Sequence, residues 1–425
     1  MSDRLPWRIR WRLSVLWTLE WGITGAILTY LSLYFKENGL TEDEQAQVMA
    51  MSAFGLWVAP IVVGHICDRV MASEKYLAVA HCAGGLLLLW LPLVTQAYRE
   101  ERSGGNFALL LGVMGLYAIA YFPTVPVASA LSFRHLPDPD AQFGSVRIWG
   151  TVGWVASGVA LSLWLGQHDV ADWIRATFAG SESALARVAE TFDWLPPPQS
   201  ADCFRIAAML SFLLSAFCVF LPQTPPAEDK TRSFAPWQAT SMFAKPSFSL
   251  LVAISVALAA VVPFYTYAVP KMLEDMGFAS RWVPVTMTIG QVSEFPALIL
   301  LGVCLKRYGL KLTFALGMAA WVVRYAVFAA DSPEWLILLG IALNGVCHVF
   351  IIIVIQLYVD ANCRRDLRAS AQNLIAFLTL GIAMPLGLLA AGLLGRVLRI
   401  DDPQHAHYDV FFSIPAVLVL LLLGV

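Results

Sequence analysis

The residues of this chain that could do chemistry are the few polar and ionisable side chains that interrupt long apolar runs. Glu294 is the clearest, lying mid-way along the run IGQVSEFPALIL with Gln291 three residues earlier and so on the same helical face. Pro296 removes a backbone donor beside it and is expected to bend the helix. A carboxyl group deep in an apolar run needs a cation, hydrogen-bond donors or a proton, so its proton can be traded against contact with a solute. The alternative is a protonated Glu294 bonded to a neighbouring helix. The segment RIWGTVGWVASG places Arg147, Thr151 and Trp154 at i, i+4 and i+7, one stripe of cation, hydroxyl and aromatic ring. Arg147 could equally snorkel to head groups, while Gly150, Gly153 and Gly158 suit close approach of helices.

Other groups carry weaker signals. Glu20 is a second buried carboxylate, for which pairing with a neighbouring helix competes with a role in proton coupling. Asn344 and His348 share a face at i, i+4, and a hydrogen-bonded neutral histidine at a helix contact competes with a ligand-binding one. Arg324 is expected to pair with an acidic group or to snorkel. Asp68 with Arg69, and Lys306 with Arg307, read as gating clasps between helix ends. His405 and His407 lie near Asp401 and Asp402, a clustering that a polar loop produces without any metal. No phosphate loop, nucleophile elbow, HExxH or dinucleotide fingerprint occurs, so neither an enzyme nor a cofactor or metal is expected.

The elements that must position these residues follow from composition. Of 425 residues 58% are hydrophobic and 14% charged, against about a quarter charged in soluble domains. Apolar runs fall at about 13–35, 46–66, 76–97, 106–133, 147–166, 204–221, 248–270, 283–305, 312–330, 335–359, 370–395 and 409–425. Each approaches the roughly 20 residues that cross a bilayer. The expectation is an all-α polytopic membrane protein with twelve transmembrane helices. The first run has a basic flank but is too long for a signal peptide and lacks a cleavage site, so it reads as a retained helix. With both termini in the cytoplasm, sixteen Lys and Arg fall inside and nine outside, the bias the positive-inside rule asks for. A net charge of −2 offers no field for nucleic acid. Seven cysteines without a CxxC pair, mostly in apolar runs, predict no disulfide framework.

A repeat is visible in two turns on the same expected side, GHICDRV (Gly64 to Arg69) after the second run and GVCLKRYGLK (Gly302 to Lys311) after the eighth. Their equivalence implies two six-helix pseudo-symmetric halves, residues 1–221 and 248–425, with an outer loop 167–202 in the first half and a cytoplasmic linker 222–247. This is the internal symmetry of the major facilitator fold, whose substrate site lies at mid-membrane. Through RIWGTVGW, GQVSE followed by KRYGLK, AWVVRYAVFA and RASAQ, in colinear order over most of the chain, the sequence resembles the nucleoside:proton symporter family of that superfamily. The resemblance implies proton-coupled nucleoside uptake across the cytoplasmic (inner) membrane by alternating access. Nucleoside and proton are the transported ligands, and the chain is expected to work as a monomer in the lipid bilayer. It also implies that Arg147, Thr151, Trp154, Gln291 and Glu294 line the nucleoside site; Asn344 and His348 replace aromatic contacts of the family and are expected to join that site, and Glu20 is an addition expected to share proton coupling with Glu294. The chain departs from the family's pattern at Ala260 and Pro263, where amide side chains can occur, and at Asn344, His348 and Val349. A proton-linked sugar or oligosaccharide carrier, or a non-transporting sensor on a transporter fold, shares the architecture; competition by nucleosides against disaccharides, and accumulation in vesicles, separate them.

Overall fold

The computed structural model describes residues 5–61, 66–67, 70–178, 190–225, 243, 245–330, 333–362 and 368–424. Its elements are helices; no strand occurs among the described residues. In chain order they are α1 Trp7–Leu28, α2 Leu31–Glu37, α3 Glu42–Ala50, α4 Ser52–Ile61, α5 Ser73–Glu100, α6 Gly104–Tyr121, α7 Thr124–His135, α8 Pro139–Leu165, α9 Gln167–Thr177 and α10 Asp202–Phe217. After the linker come α11 Pro246–Asp275, α12 Val283–Met287, α13 Ile289–Val292, α14 Glu294–Ala329, α15 Glu334–Ala342, α16 Asn344–Asn362, α17 Arg368–Ala376, α18 Met384–Leu398 and α19 Tyr408–Leu423. A π-helical turn, Phe377–Ala383, joins α17 to α18.

Over the described residues each of the twelve apolar runs coincides with helix, often as two pieces separated by a distorted residue. Among the described residues eight helical stretches are long and apolar enough to cross a membrane, and one of them, Ser280–Ala329, holds 50 residues and so two of the runs. That stretch reverses at Gly309, whose φ of 73° is open to glycine and strained for other residues. The remaining runs appear as α1 with α2, α3 with α4, and α19. Many large apolar side chains lie exposed, including Leu93, Ile299, Val397 and Leu421, which suits a surface facing lipid. The polar stretch 167–202 was expected as a loop, yet α9 occupies its first part, with Ala171 and Ile174 buried and the Gln167 amide donating to the Pro196 carbonyl at 2.8 Å.

Within the first half α1 packs along α8 and α10, and α5 along α10 and α6; within the second α14 packs on α16 and α19, and α11 on α18. Small residues permit the closest approaches. A Cβ at Gly25 would stand 2.6 Å from the Trp154 carbonyl oxygen, and one at Gly153 would collide with the Thr18 carbonyl. The halves meet along two seams, α3 against α18 and α8 against α12. The face opposite the one where α1 begins is closed by ion pairs between the halves. Lys36 reaches Glu274 at 2.8 Å and Asp275 at 3.5 Å, Lys271 reaches Glu42 at 3.1 Å, Arg281 meets Asp169 and Arg396 meets Asp43. Among the described residues every ion pair that joins the halves lies at this face.

Candidate functional site

Two tryptophans one turn apart on α1 shape the centre. Trp17 and Trp21 turn toward α8, and the Arg147 guanidinium lies over both rings, 4.9 Å and 4.4 Å from their centroids. Gly150 makes room for this: a Cβ there would be 2.6 Å from the Arg147 Nη1 and 2.8 Å from the Trp21 ring. Arg147 therefore folds back on its own helix and inward; it does not snorkel. Its nearest opposite charges are Glu294, across the seam, and Glu20 on α1. Neither forms an ion pair with it. Trp154 leans on Trp21 with ring centroids 5.9 Å apart and planes tilted by 34°. Thr151 and Trp154 are half-buried, and the Trp154 Nε1 has no hydrogen-bond partner.

On the opposing half, α13 is a single turn set off from α14 by a distortion at Ser293, which interrupts the helix directly before Glu294. The Ser293 hydroxyl donates to the Gly290 carbonyl at 2.7 Å and accepts the Gly345 amide at 3.0 Å, which ties this break to α16. Gln291 and Glu294 are both half-buried, and the Gln291 Oε1 is without a partner. Asn344 adjoins Gly290, and its Oδ1 accepts the Arg324 Nη1 at 2.9 Å. His348 is exposed and lies within electrostatic reach of Arg147 from the other half and of Arg324.

Arg324 departs from expectation. It is 2% exposed, so it does not snorkel, and its neighbours are the Asn344 amide oxygen and the Tyr265 ring, 3.7 Å from the guanidinium carbon, with no acidic partner among the described residues. A tyrosine face and a carbonyl-type oxygen substitute for the missing carboxylate. Glu20 is 0% exposed and is not at the helix end: its Oε2 stands 2.9 Å from the His81 Nε2, and the Thr124 hydroxyl donates to its Oε1. His81, Trp17 and Trp21 were missed by sequence reasoning. The tryptophans had a signal, a repeat at i, i+4 on the run that carries Glu20, but His81 had none, since its partner lies 61 positions away in sequence. Asp68 and Arg69 of the first clasp lie outside the described residues. Lys306 and Arg307 of the second are exposed, with no ion pair to another described residue. His405 bonds Asp402 at 2.8 Å, and no group of metal-ligating side chains occurs among the described residues. Cys82, Cys203, Cys218, Cys304 and Cys347 form no disulfide, and Cys363 lies outside the described residues.

The central arrangement thus presents a cation on aromatic rings, a carboxylate facing it without contact, and buried polar atoms that lack partners. It offers donors, acceptors and ring faces to a polar, flat solute. The relatives are of that kind. The chain is 29% identical over 396 residues to the putative nucleoside transporter YegT of Escherichia coli strain K12, covering 90% of this chain and 84% of that one. It is 24% identical to the xanthosine permease of the same organism, covering 96% and 94%. The crystal structure of nucleoside transporter NupG superposes with a TM-score of 0.78 at 21% identity, covering 98% and 97%, which bears out the major facilitator fold. The sequence profile described as "Nucleoside H+ symporter" matches residues 7–203 and 196–425. The chain therefore belongs to the nucleoside H+ symporter family, and is a multi-pass membrane transporter that couples nucleosides to protons, not an enzyme.

Proposed function

We propose that Arg147, Thr151, Trp154, Gln291 and Glu294, with Asn344 and His348, bind the nucleoside, and that Glu294 is the group whose proton drives its uptake. One observation carries this reading. Arg147 and Glu294 face each other across the seam between the halves without touching, and the Trp154 Nε1 and Gln291 Oε1 around them are unpartnered. Buried polar atoms without partners cost about 1–3 kcal/mol each, so a solute that supplies hydroxyls and a polar ring edge gains by pairing with them. Ribose hydroxyls suit Glu294 and Gln291, and the base suits the slot beside Trp21 and Trp154. Asn344 keeps its amide N–H groups for the ligand while Arg324 holds its oxygen.

In the same reading the face where α1 begins is cytoplasmic, the membrane is the inner one, and the protein works as a monomer. Residues 1–221 and 248–425 rock about the site, with 222–247 as their linker. Asp68, Arg69, Lys306 and Arg307 close the cytoplasmic side when the opposite side opens. The test is uptake of radiolabelled uridine or adenosine into vesicles under an imposed pH gradient. Wild type accumulates the nucleoside, and Glu294→Gln abolishes the dependence on the gradient. Uptake indifferent to both a protonophore and that substitution overturns the assignment.

A further inference from the structure

The Glu20–His81 pair is not used by the mechanism above, and its surroundings are unusual. Both side chains are 0% exposed. The Glu20 Oε2 and the His81 Nε2 are 2.9 Å apart, yet neither makes a directed hydrogen bond, and the His81 Nδ1 is also without a partner. The rest of the pocket is well satisfied. Thr124 donates to the Glu20 Oε1, the Tyr121 hydroxyl donates to the Glu20 carbonyl at 2.5 Å, and the Ser211 hydroxyl donates to the His81 carbonyl at 2.9 Å. The Glu20 Oε2 and the His81 Nε2 thus pair with each other as charges, while the His81 Nδ1 is a buried polar atom that packing leaves without a partner.

The charged and titratable groups within electrostatic reach of Glu20 come from α5, α6, α8 and the end of α10, while α7 contributes the Thr124 hydroxyl. They are Tyr76 and His81 of α5, Tyr117 and Tyr121 of α6, Arg147 of α8, and Cys218 directly after α10. Arg147 is the permanent cation among them, and it also serves Glu294. A carboxylate and an imidazole enclosed together are electrically neutral when they hold one more proton than the separate carboxylate and neutral ring. Loss of that proton leaves a net negative charge that only Arg147 is placed to balance.

We propose that the Glu20–His81 pair is a second proton-binding site, sealed inside the N-terminal half and coupled through Arg147 to Glu294. In the loaded state the extra proton sits on the pair and Arg147 is left to Glu294 and the solute. In the state in which water reaches the pair, the imidazolium releases its proton to that water with no other bond made or broken, and the stranded Glu20 carboxylate draws Arg147 toward α1 and weakens its hold on the site. This proposal rests on the nucleoside reading above and adds where a coupled proton resides.

The experiment measures nucleoside affinity of the purified transporter by calorimetry from pH 5.5 to 8, in wild type, His81→Gln and Glu20→Gln/His81→Gln. The double variant replaces the ion pair by two amides that can bond each other, and thermal unfolding reports whether each variant is folded. One linked proton changes the affinity by up to about tenfold per pH unit. Wild type is expected to show the steeper dependence of two linked protons, and the folded variants to keep only the slope that Glu294 carries. Proton uptake on nucleoside binding, read with an indicator dye in weakly buffered protein, is expected to be larger in wild type than in the folded variants. A folded variant with the wild-type slope, or with the wild-type proton uptake, overturns the proposal. Absence of nucleoside binding by wild type is the separate failure of the reading it rests on.

Discussion

Replacing Lys271 by Met tests how the closed face is held. Lys271 is 0% exposed and contacts Glu42 at 3.1 Å and Asp401 at 2.9 Å, with its ammonium 3.9 Å from the centre of the Tyr267 ring. Methionine fills much the same space without the charge, so Lys271→Met strands Glu42, 7% exposed, and Asp401, 25% exposed. Removing one partner of a buried ion pair costs about 3–5 kcal/mol. Tyr267 still donates to Glu42 and water reaches Asp401, so the lower end, about 3 kcal/mol, applies here. In the state where this face opens, both carboxylates are hydrated and the loss vanishes. The difference shifts the closed-to-open ratio by about 100-fold, at 1.4 kcal/mol per tenfold. Gln45→Cys in a background lacking the native cysteines provides the reporter. Gln45 is 0% exposed in the closed face and donates to Asp401 at 2.9 Å, so a thiol there is alkylated only on opening. Adding Lys271→Met is expected to speed alkylation by up to about 100-fold. Adding Glu42→Gln as well removes one stranded charge and returns part of the protection. Alkylation at the parent's rate with Lys271→Met refutes the idea that these charges hold the face shut.

Arg396 lies on the same seam but is 59% exposed where it meets Asp43. Exposed pairs contribute at most about 1 kcal/mol, so Arg396→Gln changes the same alkylation rate by no more than about fivefold. Trp21→Ala and Trp154→Ala each remove a ring face from the slot beside Arg147. Stacking of a base on an aromatic side chain is worth about 1–3 kcal/mol, so calorimetry is expected to show each variant binding nucleoside about fivefold to 100-fold more weakly. Gly153→Ala drives a methyl group into the Thr18 carbonyl, whereas Gly112→Ala meets nothing within 4 Å. Overpacking costs about 1–3 kcal/mol, so thermal unfolding falls for the first and stays near wild type for the second.

The chain's amino acids on their own determined the class of molecule, the twelve helical runs and the set of polar residues at their centres. They did so because a bilayer imposes its demand locally: each spanning segment must be apolar over its own length, and each exception stands out against it. Glu294 with Gln291, and Arg147 with Thr151 and Trp154, were legible because helical spacing alone puts each set on one face. What no local pattern contains is which faces meet. The cradle of Trp17 and Trp21 under Arg147, the tie from Arg324 to Asn344, and the ion pairs that close one face all join residues from separate helices. Glu20 illustrates the difference most sharply. Its place in an apolar run left pairing with a neighbouring helix and proton coupling both open, and only the assembled bundle encloses it with His81 of α5 and Thr124 of α7. The cost of burying a charge depends on every helix that surrounds it, so that charge's partner is a property of the assembled bundle.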